Sequence, residues 1–240
     1  ERTYQEYGIE DARISKVGDT YYLTTCCVSA ERHSTVLYTS RDGIAYQLEG
    51  MILDHQNKDM LIFEGKPRGD FYALTRPLGD LYFAYPPGSP YQPGPSINLA
   101  RSPDCLSWQP IDKPLIRPRK GSSSSMKIGG GAQPIETERG WLVLYHGVES
   151  ASLVGVYRTF WALLDRDDPS NVLHLEDKYP VLEPREELVE PLKDQIYLSG
   201  VVFTTGIVDS GEDHYIVASG ENDLACRITE IPKAVFTDQR

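Results

Sequence analysis

The sequence is poor in sulfur and in helical periodicity, and it has no long hydrophobic run. Its 240 residues include four cysteines and three methionines. Cys26, Cys27, Cys105 and Cys226 form no CxxC pair and no zinc-ligand spacing, which argues against a zinc ribbon or a disulfide framework. They are predicted to be reduced thiols buried on strands. No stretch predicts a signal peptide or a membrane span, so we expect a cytoplasmic protein without a membrane partner.

Basic residues are also in deficit. The chain has 24 Lys and Arg against 35 Asp and Glu, a formal net charge of −11. This balance argues against nucleic acid as a partner, because a phosphate backbone requires a basic face. Basic residues that gather within such an acidic chain would form a local anion pocket instead. The carboxylates and histidines lack ligand spacing, so no metal site is predicted.

The abundant residues favour β structure. There are 20 glycines, 17 prolines and 15 tyrosines, and 40% of the residues are hydrophobic, enough for a core. Tyrosine favours strands, while glycine and proline punctuate turns. One all-β domain can occupy this length, and we predict a single domain over residues 1–240.

Four tight turns, each followed by a predicted strand of aromatic and aliphatic residues, indicate a repeated unit. Further strands are predicted on both sides of each hairpin, at a spacing of about 50 to 75 residues. This is the pattern of a four-stranded propeller blade, and we count about four blades. A short helical or irregular insert is predicted over residues 184–193 and a structured surface loop over residues 86–95. The four turns are Gly18-Asp19, Gly69-Asp70, Arg139-Gly140 and Glu212-Asp213.

Polar residues stand at the heads of the predicted innermost strands, which line the central channel of a propeller. They are Asp11, residues 57–59, Lys127 and residues 204–206. Polar residues there suit the lining of a funnel better than a core. For Glu10 and Asp11 an alternative stays open: a turn before a strand, with Arg13 as a structural ion-pair partner.

Four basic residues come from successive blades at equivalent positions. Arginine offers a planar, two-pronged donor to phosphate and lysine offers a point charge, so the set predicts a phosphate pocket. The alternative is that each is an ordinary surface charge. A single carboxylate beside this set suits proton delivery, which together points to a sugar and a phosphate as ligands. The four residues are Lys58, Arg76, Lys127 and His146.

The order of motifs resembles glycoside hydrolase family 130, the β-mannoside phosphorylases and their hydrolase relatives. The resemblance spans nearly the whole chain and includes GIEDARI, NKD with IFEGK, ALTRP, KIGGGAQPI, GWLVLYHGV, YRTFWALLDRDDP and SGENDLACRI. It implies an all-β fold of the five-bladed β-propeller type. Because only ten residues precede Asp11, we expect a chain truncated at its N-terminus to about four blades. The first residue, Glu1, is not methionine, which agrees with that expectation.

The resemblance also implies roles for individual residues. Asp11 would be the proton donor, acting through the sugar's 3-hydroxyl, while phosphate attacks the anomeric carbon with inversion to give mannose 1-phosphate. Inorganic phosphate is the expected co-substrate, with no cofactor. The implied phosphate ligands are Lys58, Arg76, Lys127, His146 and Tyr157. Sugar contacts are predicted for Glu10, Arg13, Asn57, Asp59 and Asp223.

Two other functions remain open at this point. One is hydrolysis of β-mannosides by an enzyme of the same family, and the other is a carbohydrate-binding propeller without catalysis. Retention of the four basic residues favours the phosphorylase. The expected partners are an oligosaccharide and phosphate; the linkage, the acceptor sugar and a homo-oligomer are left open.

Overall fold

A computed structural model describes residues 3–53, 55–78, 95–150 and 154–237, with the side chain of Asp112 excepted. The described residues form sixteen strands in four antiparallel sheets. The predicted loop over residues 86–95 lies outside this part of the chain, apart from its last residue.

The first two sheets are four-stranded meanders in sequence order. The first contains β1 (Gly8–Val17), β2 (Thr20–Val28), β3 (His33–Ser40) and β4 (Gln47–Leu53). The second contains β5 (Asn57–Ile62), β6 (Phe71–Pro77), β7 (Ile97–Ser102) and β8 (Gln109–Ile116).

The third sheet has a divided inner strand and the fourth has three strands. The third contains β9 (Lys127–Gly130), β10 (Ile135–Thr137), β11 (Gly140–Glu149), β12 (Val156–Leu164) and β13 (Val172–Glu176), with β9 and β10 pairing successive parts of β11. The fourth contains β14 (Val202–Asp209), β15 (His214–Glu221) and β16 (Ala225–Pro232). Short 3-10 helices cover Thr3–Gln5, Pro67–Gly69, Glu186–Leu188, Glu190–Gln195 and Lys233–Phe236.

The sheets are the blades of a propeller, as the repeat predicts. The strands β1, β5, β9 and β14 lie innermost, where they contact one another across the blades. All four predicted turns join strands at the expected places, for instance residues 18–19 between β1 and β2. The predicted insert forms the two 3-10 helices between residues 186 and 195.

Apolar side chains pack between successive blades. The strand β11 shows how one sequence serves two interfaces, because alternate side chains point to opposite faces. Val143 and Tyr145 join the core shared with the second blade, whereas Leu142 and Leu144 join the core shared with the fourth. A third cluster, with Leu37 from the first blade, joins the first and second blades.

The face between the first and fourth blades is different. There the structure has an open groove of about 570 Å³, which we call the seam. It is lined mostly by apolar atoms, and Ile14 of β1 and Val208 of β14 remain about half exposed. The propeller thus has three apolar inter-blade cores and one open side.

The cysteines are predicted from the sequence to be buried on strands. This is correct for Cys26 and Cys27, whereas Cys105 does not lie on a strand and Cys226 is not buried. Cys26 and Cys27 are buried on β2. Cys105 is buried but lies in the turn after β7, with a left-handed φ of 66°, where Gly43 stands in the equivalent turn of the first blade. Cys226 is exposed because it lies on the face of β16 that is turned to solvent, where buried and exposed residues alternate. None of the four forms a disulfide within the described residues.

No helix within the described residues is long and apolar enough to cross a membrane.

The packing of β11 against β12 predicts a severe effect of a single methyl group at Gly140. Its φ is +135°, and a Cβ there would lie 2.2 Å from the backbone oxygen of Leu164. Gly140→Ala should lower the free energy of unfolding by about 3 kcal/mol or more, from backbone strain and the clash together. Urea denaturation measures this loss.

Gly50→Ala is the matched control, because Gly50 has a φ of +138° and nothing within 4 Å of the added Cβ. It isolates the backbone strain, and we expect a loss of about 1 kcal/mol. Equal losses in the two variants would contradict the clash at Gly140.

Candidate functional site

The heads of three inner strands carry β-bulges at equivalent points. The pairing register shifts between residues 10 and 13 of β1, 58 and 61 of β5, and 204 and 206 of β14. Asp11 and Asp59 sit within two of these bulges with left-handed φ values of 56° and 51°. Aspartate tolerates this conformation better than most residues, and bulges re-aim side chains beside functional sites. The bulges therefore turn both carboxylates toward the centre of the propeller end.

An outer polar layer at this end joins Lys58 to two carboxylates. The Lys58 ammonium lies 2.7 Å from Glu10 Oε1 and 3.4 Å from Asp11 Oδ2. Although burial acts to lower the pKa of Lys58, its hydrogen bond to Glu10 and the charge of Asp11 raise it above its ordinary value. Lys58 is thus held charged beside the predicted proton donor. Asp11 keeps 24% of its side-chain surface exposed, so it remains accessible from the funnel.

A deeper layer centres on Asp59, whose side chain is fully buried. Arg76 Nε lies 2.9 Å from Asp59 Oδ2, and His146 Nε2 lies 3.8 Å from the same oxygen. Arg76 and Asp59 are in ion-pair contact without the alignment of a hydrogen bond, and neither oxygen of Asp59 accepts a hydrogen bond from the described residues. Asn57 fixes the position of Arg76 by accepting its backbone N–H at 3.0 Å.

Gly129 makes room for this buried layer. A Cβ at that position would lie 2.3 Å from Asp59 Oδ2 and 2.6 Å from the His146 ring. The absent side chain lets β9 approach the carboxylate and the imidazole together. The glycine run thus permits close packing beneath the site.

Arg13 reaches across the centre of the propeller rather than to Asp11. Its Nε donates to the backbone oxygen of Gly131 at 2.8 Å, and its guanidinium carbon lies 5.0 Å from the centre of the Phe203 ring. Burial lowers the pKa of Arg13, and the charges of Asp59 and Asp11 oppose that effect. Within the described residues no ion pair joins Arg13 to Glu10 or Asp11, which both pair with Lys58, so the alternative of a structural ion pair with Arg13 is wrong.

His146 is fully buried beside cations. Burial first, and then the charges of Arg76, Arg13 and Lys127, hold the pKa of His146 well below its ordinary value. The ring is therefore neutral near pH 7. Its Nε2 lies 3.5 Å from Arg76 Nη1, where a neutral imidazole accepts the hydrogen bond that arginine donates.

Lys127 and Tyr157 complete the group of predicted phosphate ligands. The Lys127 ammonium lies 5.0 Å from the centre of the Tyr157 ring, and that ring lies 5.6 Å from the ring of His146. The backbone N–H of Tyr157 donates to the Gly200 oxygen at 2.9 Å, which ties β12 to the segment that enters β14. Contacts connect these residues from β9, β11 and β12.

The other predicted residues lie at different depths. Asn57, Asp59 and Arg13 are buried at 0, 3 and 3% exposure and support the basic residues from within, so their contact with sugar stays a prediction. Asp223 lies in the hairpin between β15 and β16, and Tyr197 Oη is 3.5 Å from its Oδ2. Within the described residues, no hydrogen bond or ion pair joins Asp223 to the group around Asp59.

The sequence reasoning missed Phe203 and the role of Cys26. Phe203 lies under Arg13 and 4.8 Å from the His146 ring, but a phenylalanine in an apolar strand carries no distinguishing signal. Burial raises the pKa of Cys26, beside Lys58, to about 12, so its thiol stays protonated.

A cavity of about 690 Å³ lies at the opposite end of the inner strands and does not belong to this site. Its wall carries the pairs Lys233–Asp209 at 2.8 Å and Arg166–Glu136 at 3.3 Å. Two of its basic groups, Lys233 and Arg166, are thus matched by acids. Elsewhere in the described part of the chain, no three His, Cys, Asp or Glu side chains converge as a metal would require.

The arrangement at the funnel end can do two things chemically. Arg76 with His146, and Lys127 with Tyr157, form a cationic floor that suits an anion. Asp11, partly buried beside Lys58, can give or take a proton. An acid and an anion site together fit displacement by an anionic nucleophile, because such a reaction needs no second carboxylate to activate water.

The buried ion pair predicts a large stability effect of Asp59→Asn. This change leaves the Arg76 guanidinium without its counter-charge and should cost about 3 to 5 kcal/mol. The free energy of unfolding in urea measures it. Asp70→Asn is the control, because the Asp70–Arg101 pair of 2.7 Å is more exposed and should contribute less than about 1 kcal/mol. Wild-type stability of Asp59→Asn would contradict the counter-charge role.

The lowered pKa of His146 predicts a loss of stability in acid. Below about pH 6.5 the unfolded chain protonates this histidine while the folded chain does not, so stability falls as pH falls, by up to about 1.4 kcal/mol per pH unit. His146→Gln removes this component. Unfolding free energies at pH 7.5 and 5.5 should therefore differ less in the variant than in the wild type. Equal pH dependence in both proteins would show that His146 protonates normally when folded.

Comparison with known proteins places this geometry in a family. A family model described as beta-1,4-mannooligosaccharide phosphorylase, that of glycoside hydrolase family 130, matches residues 1–237. The beta-1,2-mannobiose phosphorylase of Listeria innocua serovar 6a is 37% identical over 215 residues, which cover 87% of this chain and 54% of that protein. The 1,2-beta-oligomannan phosphorylase of Thermoanaerobacter sp. is 30% identical, covering 90% of this chain and 66% of that protein.

A solved structure agrees with the sequence relatives. The beta-1,2-mannobiose phosphorylase from Listeria innocua, in complex with beta-1,2-mannobiose, has a TM-score of 0.83 and 33% identity. The match covers 98% of this chain and 61% of that one. This chain thus spans between about half and two thirds of the length of these relatives. With the family model matched from residue 1 to residue 237, the chain belongs to glycoside hydrolase family 130.

Proposed function

We propose that the protein is a phosphorylase of β-linked mannosides, with this chain supplying the proton donor and the phosphate-binding floor. The observation that carries the proposal is a group of basic side chains, Arg76, His146 and Lys127, that contact one another or interact through their charges. The accessible acid Asp11 pairs with Lys58, which lies opposite Arg76 in the second blade. The sequence relatives, named as phosphorylases of β-1,2-linked mannosides, and the family description, which names β-1,4-mannooligosaccharides, support the substrate class. The linkage is left to the assay.

The proposed reaction is an inverting displacement at the mannosyl C1. The bond between the mannosyl C1 and the glycosidic oxygen breaks, and the proton of Asp11 reaches that oxygen, through the sugar's 3-hydroxyl as the family resemblance implies. A phosphate oxygen forms the new bond to C1 from the opposite face. The products are α-mannose 1-phosphate and the shortened sugar. Inorganic phosphate is the co-substrate, and the proposal includes no cofactor.

Lys58 has a particular place in this proposal. Its ammonium is shared between Glu10 and Asp11. A phosphate on the floor would compete with both carboxylates for this ammonium. Lysine supplies a single point of charge on a flexible chain, so Lys58 can transfer to phosphate without rebuilding the buried layer.

The assay is release of mannose 1-phosphate from β-1,2- and β-1,4-mannobiose with and without phosphate. We expect turnover with phosphate only. Asp11→Asn should lower kcat by about 10²- to 10⁴-fold, the usual contribution of a general acid, while phosphate binding is retained. Release of free mannose without phosphate would instead identify a hydrolase. Sugar binding without turnover in the wild type would identify a binding module.

Lys127→Ala tests the phosphate floor without disturbing the buried ion pair. Lys127 is half-buried and contacts the Tyr157 ring, so its removal leaves no buried charge unpaired. Loss of one charge-assisted contact should raise the KM for phosphate by roughly tenfold. The exposed Lys120→Ala on the preceding turn is the control and should leave that KM unchanged. An unchanged KM in Lys127→Ala would remove this residue from the phosphate site.

A further inference from the structure

One ammonium group, that of Lys58, serves two carboxylates on the inner strand of the first blade. It lies 2.7 Å from Glu10 Oε1 and 3.4 Å from Asp11 Oδ2. The side chains of Lys58, Glu10 and Asp11 are 20, 46 and 24% exposed, so a ligand in the funnel can reach all three. If Lys58 moved away, two neighbouring carboxylates would face each other without this counter-charge.

Lys58 also lies next to the cationic floor. It stands opposite Arg76 in the pairing of β5 with β6. Residues opposite each other in antiparallel strands have their side chains on the same face, with Cβ atoms about 5 Å apart, and like charges in such a pair repel each other. The carboxylate of Asp59 neutralises Arg76, while Glu10 and Asp11 neutralise Lys58. An anion on the floor would attract both cations and compete with the carboxylates for Lys58.

Arg13 and Cys26 are further ionisable neighbours of Asp11, but neither can replace Lys58. Arg13 Nε donates to the backbone oxygen of Gly131 at 2.8 Å, which holds the guanidinium in place. Burial raises the pKa of Cys26 to about 12, so the thiol is neutral near pH 7. Lys58 is therefore the cation near Asp11 that is free to exchange partners.

The strands β5 and β14, which also pack against β1, supply no positive charge besides that of Lys58. On β5, the acid Asp59 lines the same small cavity as Asp11. The part of β14 from Val202 to Val208 has no ionisable side chain. Departure of Lys58 would thus leave Asp11 beside other acids, an environment that favours the neutral form of a carboxyl group.

We propose that an anion on the cationic floor draws Lys58 away from Asp11, and that this exchange is coupled to the uptake of one proton by Asp11. Lys58 then determines that the acid takes its proton once the nucleophile is in place. A lysine suits this exchange because it offers a single point of charge, whereas the fork of an arginine can hold a carboxylate and an anion at once. The inference rests on the proposed function for the roles of the acid and of phosphate.

The proton balance closes over one turnover. Asp11 takes a proton from solvent as phosphate binds, and this proton ends on the departing glycosidic oxygen. The hydrogen of hydrogen phosphate returns to solvent when the phosphate becomes an ester of the mannosyl C1. Lys58 returns to Asp11 when mannose 1-phosphate leaves, so no further reactant is required.

Reciprocal linkage gives the sign of the pH dependence. Because a bound anion favours the protonated form of Asp11, protonation of Asp11 must favour anion binding by the same factor. The affinity for an anion should therefore rise as the pH falls from 8 to 6, by up to about tenfold per pH unit. Asp11→Asn should remove most of this dependence.

Calorimetric titration of the protein with sodium sulfate tests the coupling, because sulfate keeps its charge between pH 6 and 8 and exchanges no proton itself. The binding enthalpy in buffers of different ionisation enthalpy gives the number of protons taken up. We expect roughly half a proton to one proton per sulfate in the wild type at pH 7, and almost none in Asp11→Asn. Lys58→Arg keeps the charge and should show less than half of the wild-type uptake.

The outcomes distinguish this inference from the proposed function. Equal proton uptake by the wild type and Asp11→Asn would place the proton elsewhere, for instance on His146, and would overturn the coupling. Binding without uptake between pH 6 and 8 would overturn it too, as would undiminished uptake in Lys58→Arg, which is decisive even if Asp11→Asn fails to fold. Uptake without any release of mannose 1-phosphate would refute the proposed function alone. Failure to bind either sulfate or phosphate would refute both.

Discussion

The buried carboxylate of Asp59 is the interaction on which the site depends. Two guanidinium groups, those of Arg13 and Arg76, are buried near it, and burial of a charge is costly unless an opposite charge compensates it. One carboxylate compensates one of them, which leaves an excess of positive charge beneath the funnel. Neutral His146 adds no further charge to that excess. An anionic ligand would complete the balance, so the imbalance supports the proposed phosphate site.

Backbone distortion places these charges. The bulges in β1, β5 and β14 occur at equivalent points, and two of them hold aspartates in the left-handed region. Such conformations cost of order 1 to 3 kcal/mol each and persist where the surrounding structure enforces them. Here the surroundings are the apolar cores between successive blades, which contain residues such as Leu61 from the strand that carries Asp59. The inter-blade packing thus maintains the strain that aims the carboxylates.

The sequence predicts the blades and the convergence of the basic residues. It does not predict how deeply each side chain of the site is buried. The repeat is local, since each hairpin follows from its own turn, and equivalent positions in successive blades face one channel. Asp11 and Asp59 show the limit: both head inner strands and share the same backbone conformation, yet one is 24% exposed and the other 0%. The difference in exposure arises from a neighbouring blade, because the missing side chain of Gly129 leaves room for the Asp59 carboxylate in the interior. The ion pair of Lys58 with Glu10 likewise cannot be predicted from one blade alone, because Lys58 lies in the second blade and Glu10 in the first.

Arg13 connects the electrostatics of the site to the closure of the propeller. Successive blades are joined by apolar cores, but the first and fourth face each other across the seam, where Ile14 and Val208 are about half exposed. Arg13 joins blades at the centre of the propeller instead: it belongs to the first blade, donates to Gly131 of the third and lies over Phe203 of the fourth. An arginine that only supplied charge could be replaced by another cation at modest cost. Because Arg13 also joins three blades, by a directed hydrogen bond and a cation–π contact from one guanidinium group, the positive floor and the ring of inner strands depend on the same side chain.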